Sequence, residues 1–295
     1  MSVYSIKELG LISGIKPHTI RIWEKRYNIL KPLRSDTNIR YYDDDQLKKL
    51  LNVCALINSG MKISAIGALS QKHILVEMDK IIAAAFKKKD QFDTIINQLL
   101  IAISTFDEAH FEKIFLHATQ KFGLTKTYLN IIYPTLVRIG LMWTKSDIMP
   151  AQEHFFSNLF KQKLYAAIDV LPIPKSSNQT WVLFLNPQEE HEIGLLFANY
   201  ILRKQGKKVV YLGPKVPYDN LRLVIQQFKT THVYTFFTKK NEEEIINSML
   251  DDLNATFKKI VICFSGNKNT IEKIPLTKNR MCVKDIHDLL EIVNH

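Results

Sequence analysis

Apolar residues recur at three- and four-residue spacing through the first 171 positions, then give way to short β-rich runs alternating with helical stretches. At the start, Ser5 can cap a helix running through Leu11, with Ile6, Leu9 and Leu11 apolar, and Ser13-Gly14-Ile15 supplies a tight turn. A second helix begins near Pro17. It presents Arg21, Lys25 and Arg26 on exposed faces, while Ile20, Trp23 and Tyr27 can pack or straddle the backbone of a bound duplex. Pro32 and the stretch from Arg34 to Arg40 form a basic, hairpin-like loop ending in Tyr41-Tyr42. Asp43 to Asp45 then cap a long amphipathic helix carrying Leu47, Leu50, Leu51, Cys54 and Leu56, and Gly60-Met61 turns into another holding Ile63, Ile66 and Leu69.

From residue 77 to 171 punctuation is sparse, limited to Gly123, Pro134, Gly140 and Pro150, and four or five helices of bundle length are expected. His110 and His117 can share a helix face there, with Glu108 and Glu112 as neighbours able to satisfy them. After the polar stretch 175–179, apolar runs at 181–185, 208–212, 232–237 and 259–264 alternate with helices near 190–205, 218–229 and 241–256. A fifth strand at 281–283 and a last helix through Val293 complete the pattern, which predicts a doubly wound parallel sheet. The Glu242–Glu244 run suits a helix amino terminus. His191 then falls at the carboxyl end of the first strand, where open α/β sheets place ligands.

Length and charge narrow the class. The 295 residues, 46% of them hydrophobic, suffice for two or three domains with real cores. No apolar stretch reaches the roughly 20 residues needed to cross a bilayer. Residues 1–5 lack the basic-then-apolar order of a secretory signal, so a cytoplasmic protein is expected. Cys54, Cys263 and Cys282 stand singly in apolar patterns and form no redox or metal-ligand pair. The net charge of +11 is uneven: residues 1–75 carry 12 basic against 6 acidic side chains, which places any polyanionic partner on that segment.

The residues Tyr4-Ser5-Ile6-Lys7-Glu8-Leu9, Ser13-Gly14-Ile15, Thr19 to Tyr27, Arg40-Tyr41-Tyr42, Leu47 and Gly60-Met61-Lys62-Ile63 resemble the winged helix-turn-helix of MerR-family transcription factors. The resemblance implies a DNA-binding domain at 1–75. Its contacts to double-stranded operator DNA would come from Arg21, Trp23 and Lys25 or Arg26 on the recognition helix, and from Arg34, Arg40 and Tyr41 on the wing. Trp143, nine intervening residues and then Glu153-His154 resemble the helical cap of cobalamin-dependent photoreceptor repressors within that family. The cap is expected at 76–177. There the Trp shields and the Glu contacts the upper adenosyl group, and the His can become an upper cobalt ligand after light breaks the cobalt–carbon bond. Glu189, His191 and Gly194, in the order E-x-H-x-x-G, together with residues 206–217, resemble a Rossmann-like cobalamin-binding domain, expected at 178–295. The resemblance makes His191 the lower cobalt ligand, Glu189 its orienting carboxylate and Gly194 a point of close backbone approach.

Two positions depart from that pattern. Where such domains usually place a Ser at the end of the third strand, this chain has Phe236, and the usual Gly-Gly after the fourth strand is Gly266-Asn267. In such domains both positions line the slot for the cofactor's nucleotide tail, and added volume in a packed slot typically costs roughly 1–3 kcal/mol. The expected protein is a DNA-binding regulator, a repressor, whose homodimeric or homotetrameric state answers to adenosylcobalamin, a cobalt corrinoid, and to light. A second reading keeps the architecture and loses the cofactor, responding to another ligand or protein. A third, a corrinoid enzyme subunit, requires a catalytic domain, commonly a barrel of ~250 residues, for which no segment here is long enough.

Overall fold

In the computed structural model of the protein, residues 4–35, 38–87, 92–143, 150–174, 177–238 and 243–294 are described. Helix α1 (Ile6–Ser13) begins on a complete capping box: the Ser5 hydroxyl accepts from the Glu8 amide while the Glu8 carboxylate accepts from the Ser5 amide. It ends on Gly14 at φ 74°, a left-handed C-cap open to glycine at no steric cost. Pro17 at the first position then starts α2 (Pro17–Tyr27), the predicted recognition helix. The expected wing is a hairpin of two-residue strands, β1 (Leu33–Arg34) and β2 (Arg40–Tyr41), with Leu33 opposite Tyr41 and Arg34 opposite Arg40. Asp43 caps α3 (Asp44–Asn58) by accepting from the Gln46 amide, and α4 (Ile63–Gly67) follows the turn at Gly60.

Five longer helices complete the helical part: α5 (Gln71–Lys87), α6 (Phe92–Ser104), α7 (Glu108–Thr127), α8 (Tyr133–Trp143) and α9 (Pro150–Asp169). Gly123, at φ 75° and ψ 159°, interrupts α7, and a π-turn over Tyr128–Ile132 joins it to α8. Against the sequence expectation, the His110 ring is held by Gln98 (3.1 Å) rather than by a neighbouring glutamate. The Gln98 amide in turn donates to Asn52 (3.3 Å), so a buried polar chain ties α3 to α6 and α7. Burial lowers the His110 pKa, which keeps the ring neutral in that chain.

The chain divides into two compact units, Met1–Leu159 and Phe160–His295. In the second, β3 (Thr180–Phe184), β4 (Lys208–Gly213), β5 (His232–Phe237), β6 (Val261–Gly266) and β7 (Arg280–Cys282) form one parallel sheet in the order β4-β3-β5-β6-β7. Helices α10 (Ile193–Lys204), α11 (Tyr218–Gln227), α12 (Glu243–Thr256), the short α13 (Lys268–Ile271) and α14 (Ile286–Asn294) connect or follow the strands. Glu242 of the acidic run lies outside the described residues. One face of the sheet buries Val182, Phe184, Val233, Phe237, Ile262 and Phe264 with Leu221, Ile225, Leu250 and Leu253. Gln179, read from sequence as part of a polar linker, is buried instead and accepts from the Trp181 indole (3.1 Å). The strand order reverses direction between β3 and β5, the topological switch point at which such sheets leave a crevice at their carboxyl ends.

Candidate cofactor site and DNA-binding surface

The loop between β3 and α10 carries Glu189, His191 and Glu192 to that crevice. Leu185 is tied to the end of β4 by two hydrogen bonds, its amide donating to the Gly213 carbonyl and its carbonyl accepting from the Val216 amide. Asn186 then turns the chain, accepting from the Gln188 amide on its side chain (3.1 Å) and from the Glu189 amide on its carbonyl (3.0 Å). The turn drops Glu189 inward to 1% exposure while His191 stays largely exposed. Glu189 Oε1 accepts from the His191 ring at Nδ1 (2.5 Å) and from the amides of Glu190 (3.0 Å) and His191 (3.1 Å). Its Oε2 accepts from the Thr238 amide (2.9 Å) and from the Thr238 hydroxyl. Burial alone would raise the Glu189 carboxyl, but the hydrogen bonds from His191 and Thr238 outweigh it and hold the group well below the ordinary carboxylate range.

A fixed carboxylate on Nδ1 sets the tautomer of the ring. Nδ1 carries the proton and Nε2 is the basic nitrogen, the arrangement by which carboxylates orient metal-ligating histidines. The donor set therefore fits a single imidazole ligand to a metal whose remaining ligands come from elsewhere. Thr238, directly after β5, closes the site across the switch point and was missed in the sequence. Its signal was positional: it is the first residue beyond a strand that neighbours β3. Glu192 was also missed; its carboxylate accepts from Tyr211 (3.2 Å) and Tyr165 (3.3 Å) and pairs with Lys161 (3.4 Å). Burial first, and Glu192 second, raise both phenols, which remain donors.

Gly194 and Gly266 both sit where a Cβ has no room. One on Gly194 would lie 2.7 Å from the Phe236 ring, and one on Gly266 would lie 2.0 Å from the Phe237 carbonyl oxygen. In the helical unit, the His154 ring meets the Glu153 carboxylate at 2.9 Å, a second carboxylate–imidazole pair, with His154 exposed. Trp143 ends α8; its side chain and residues 144–149 lie outside the described residues.

On α2, Arg21, Lys25 and Arg26 are exposed. Trp23 is 8% exposed, so of the two roles open to it, packing and straddling DNA, it takes packing. Glu24, a possible partner for Arg21, instead pairs with Arg40 (3.3 Å) and accepts from the Tyr42 hydroxyl, which pins the wing to α2. Arg34 is exposed and donates to the Asn38 side chain at 2.5 Å, while Tyr41 is half-buried. The arrangement is a basic helix face with a basic hairpin fixed beside it.

Comparison with known proteins agrees. Residues 4–72 match the MerR HTH family regulatory proteins and residues 95–168 match the B12 binding domain. The chain thus joins a MerR-type helix-turn-helix domain to a B12-binding domain. It is homologous to two repressors of Myxococcus xanthus, the HTH-type transcriptional repressors CarH and CarA. Identity to CarH is 26% over 221 residues, 74% of this chain and 73% of that one, and to CarA 26% over 250 residues, 84% and 81%. The fold is also that of the monomethylamine corrinoid protein of Methanosarcina barkeri, with a TM-score of 0.55 at 15% identity, covering 67% of this chain and 96% of that one. Among the described residues, no helix is long and apolar enough to cross a membrane.

Proposed function

We propose that the protein is a cytoplasmic transcriptional repressor whose operator binding is controlled by adenosylcobalamin and light. The observation that carries the reading is the buried Glu189 carboxylate fixing His191 with Nε2 as its basic nitrogen at the switch point of a corrinoid-type sheet. Homology to CarH and CarA, which are named repressors, supports the regulatory half and argues against an enzyme. When bound, adenosylcobalamin supplies a cobalt–carbon bond that light can cleave. In this reading His191 would hold the cobalt through Nε2, with Glu189 and Thr238 orienting the ring and Gly194 and Gly266 keeping the surrounding backbone close. Glu153 and His154 would contact the adenosyl group, with His154 a candidate second cobalt ligand; the Trp143 side chain, expected to shield that group, lies outside the described residues. We assign residues 1–75 to DNA binding, 76–177 to the cap and 178–295 to the cofactor domain. The active species is a homodimer or homotetramer, because one small helix-turn-helix module binds weakly and paired half-sites let two bind together.

The deciding experiment mixes purified protein with adenosylcobalamin in the dark, removes free ligand by gel filtration, and records the visible spectrum and elution volume before and after illumination. A retained corrin spectrum with a light-dependent change of size is the expected result. Retention with no change of size removes the light switch, and no retention removes the cofactor. His191→Ala should shift the spectrum of the retained corrin and weaken its retention.

Operator contacts separate from cofactor binding. Arg21→Ala is expected to weaken operator binding by about 1–3 kcal/mol if the guanidinium reads a base edge, and to lower the slope of affinity against salt by about one if it meets a phosphate. Corrin retention should be unchanged. Normal operator binding in a mobility assay would remove Arg21, and with it the assignment of α2, from the interface.

A further inference from the structure

The β5 face that looks toward α10 is filled by a column of aromatic rings. His232 stacks on Trp181 at 4.3 Å, Trp181 meets Tyr234 edge-on at 6.4 Å, and Tyr234 meets Phe236 at 5.2 Å. The column ends on α10, where the Phe236 ring lies against the bare Cα of Gly194. A Cβ there would come within 2.7, 3.1 and 3.2 Å of three ring carbons. The polar groups beside it are satisfied internally: the Tyr234 hydroxyl meets the Ser265 hydroxyl at 2.7 Å, and Ser265 donates to the Val283 carbonyl at 2.5 Å. Trp181 and Tyr234 are buried while His232 and Phe236, at the two ends, are half-buried, and a space in which Phe236 already meets Gly194 this closely does not admit a second ring without moving the first. Phe236 also lies two residues before Thr238, which holds the Glu189–His191 pair, so whatever displaces it acts next to the metal ligand.

Resting on the cofactor reading above, we propose that Phe236 is a specificity-determining residue that closes the space between β5 and α10 to a lower nucleobase. The protein thereby holds corrinoids without a nucleobase more tightly than the cobalamins it also binds. The logic is one of competition at cobalt. A corrinoid with an attached nucleobase can offer its lower face to His191 only if that base leaves the metal and lodges elsewhere. With Phe236 on Gly194 the nearest lodging is occupied, so a base displaced from cobalt gains no packing to offset its loss, and His191 takes cobalamin at a penalty that a corrinoid lacking the base does not carry. A corrinoid lacking the base presents a lower face that His191 reaches without competition.

The test is a pair of binding titrations in the dark, aquacobinamide against aquacobalamin, on the full chain and on Phe236→Ser, followed by visible absorption and by retention through gel filtration. The wild type should bind aquacobinamide at least tenfold more tightly than aquacobalamin, with a spectral change that His191→Ala abolishes. Phe236→Ser should leave the cobinamide affinity within about threefold and tighten cobalamin at least tenfold. Phe236→Leu, which keeps an apolar filler and guards against misfolding of the serine variant, should fall between them. Equal affinities in the wild type, or a ratio that neither substitution moves, overturn the inference and leave the cofactor reading standing. If neither corrin is retained by any of the three proteins, the cofactor reading fails and the inference falls with it.

Discussion

Gly266→Ala is expected to cost about 3 kcal/mol or more and to loosen the crevice around His191. Gly266 sits at φ 149°, a conformation side-chain-bearing residues rarely adopt, and such backbone strain alone costs of order 1–3 kcal/mol. The added methyl would also lie 2.0 Å from the Phe237 oxygen, 2.6 Å from its carbonyl carbon and 2.8 Å from its nitrogen. All three are backbone atoms of a strand paired to Gly266 itself, so no side chain can swing aside. Relief requires β5 and β6 to separate, breaking the bond from the Asn267 amide to the Phe237 carbonyl (2.8 Å) and shifting Thr238, whose amide and hydroxyl hold Glu189. Urea unfolding monitored by circular dichroism measures the first effect, and corrin retention the second. A variant within about 1 kcal/mol of the wild type would show that the two strands part cheaply there. This position was read from sequence as a cofactor contact; the close approach of two strands is sufficient reason for glycine without any ligand.

The same contrast runs through the molecule. Elements whose signals are local were legible. The Ser5 cap, Gly14 and Pro17 bracket the helix-turn-helix within thirteen residues, and each acts on the backbone beside it. The β-rich runs announced the strands, and the resemblance carried by E-x-H-x-x-G marked Glu189 as the partner of His191. What sequence could not supply is what comes from distant parts of the chain. Strand order is set by how crossover helices pack, so Thr238 meets Glu189 across 49 residues only because β5 lies beside β3. The Glu192 cluster draws Tyr165 from 27 residues before it and Tyr211 from 19 after, and no spacing rule joins such positions. Trp23 shows the converse limit. Its place on the recognition helix suited a DNA contact, but the helix phase puts it on the inward face with Ile20. Phe236 was legible as a departure; that its ring replaces a Cβ on Gly194 was not.

The second large effect is expected at Glu189. Glu189→Ala removes one acceptor that serves the amides of Glu190, His191 and Thr238, the Thr238 hydroxyl and the His191 ring. An unsatisfied buried donor costs about 1–3 kcal/mol, and more than one is left here, so a loss of about 3 kcal/mol or more is expected. Glu189→Gln isolates the charge. Its amide can keep one oxygen toward His191 but turns a donor toward the donors of Thr238, and it cannot titrate. Because the folded-state pKa of Glu189 is depressed, its contribution is fully present above the unfolded value of about 4.3 and is lost as pH falls toward the folded one. The stability gap between wild type and Glu189→Gln should therefore be widest near pH 7 and shrink steadily below about pH 4. Denaturant titrations at neutral and acid pH measure that gap. A gap that stays constant would mean the hydrogen bonds do not favour the ionised carboxylate. In parallel, nitrogen-15 spectra of the imidazole should show the proton on Nδ1 in the wild type and a mixture of tautomers in Glu189→Gln. The variant that loses the tautomer should also lose the corrin, since the same carboxylate that stabilises the loop makes Nε2 the nitrogen offered to cobalt.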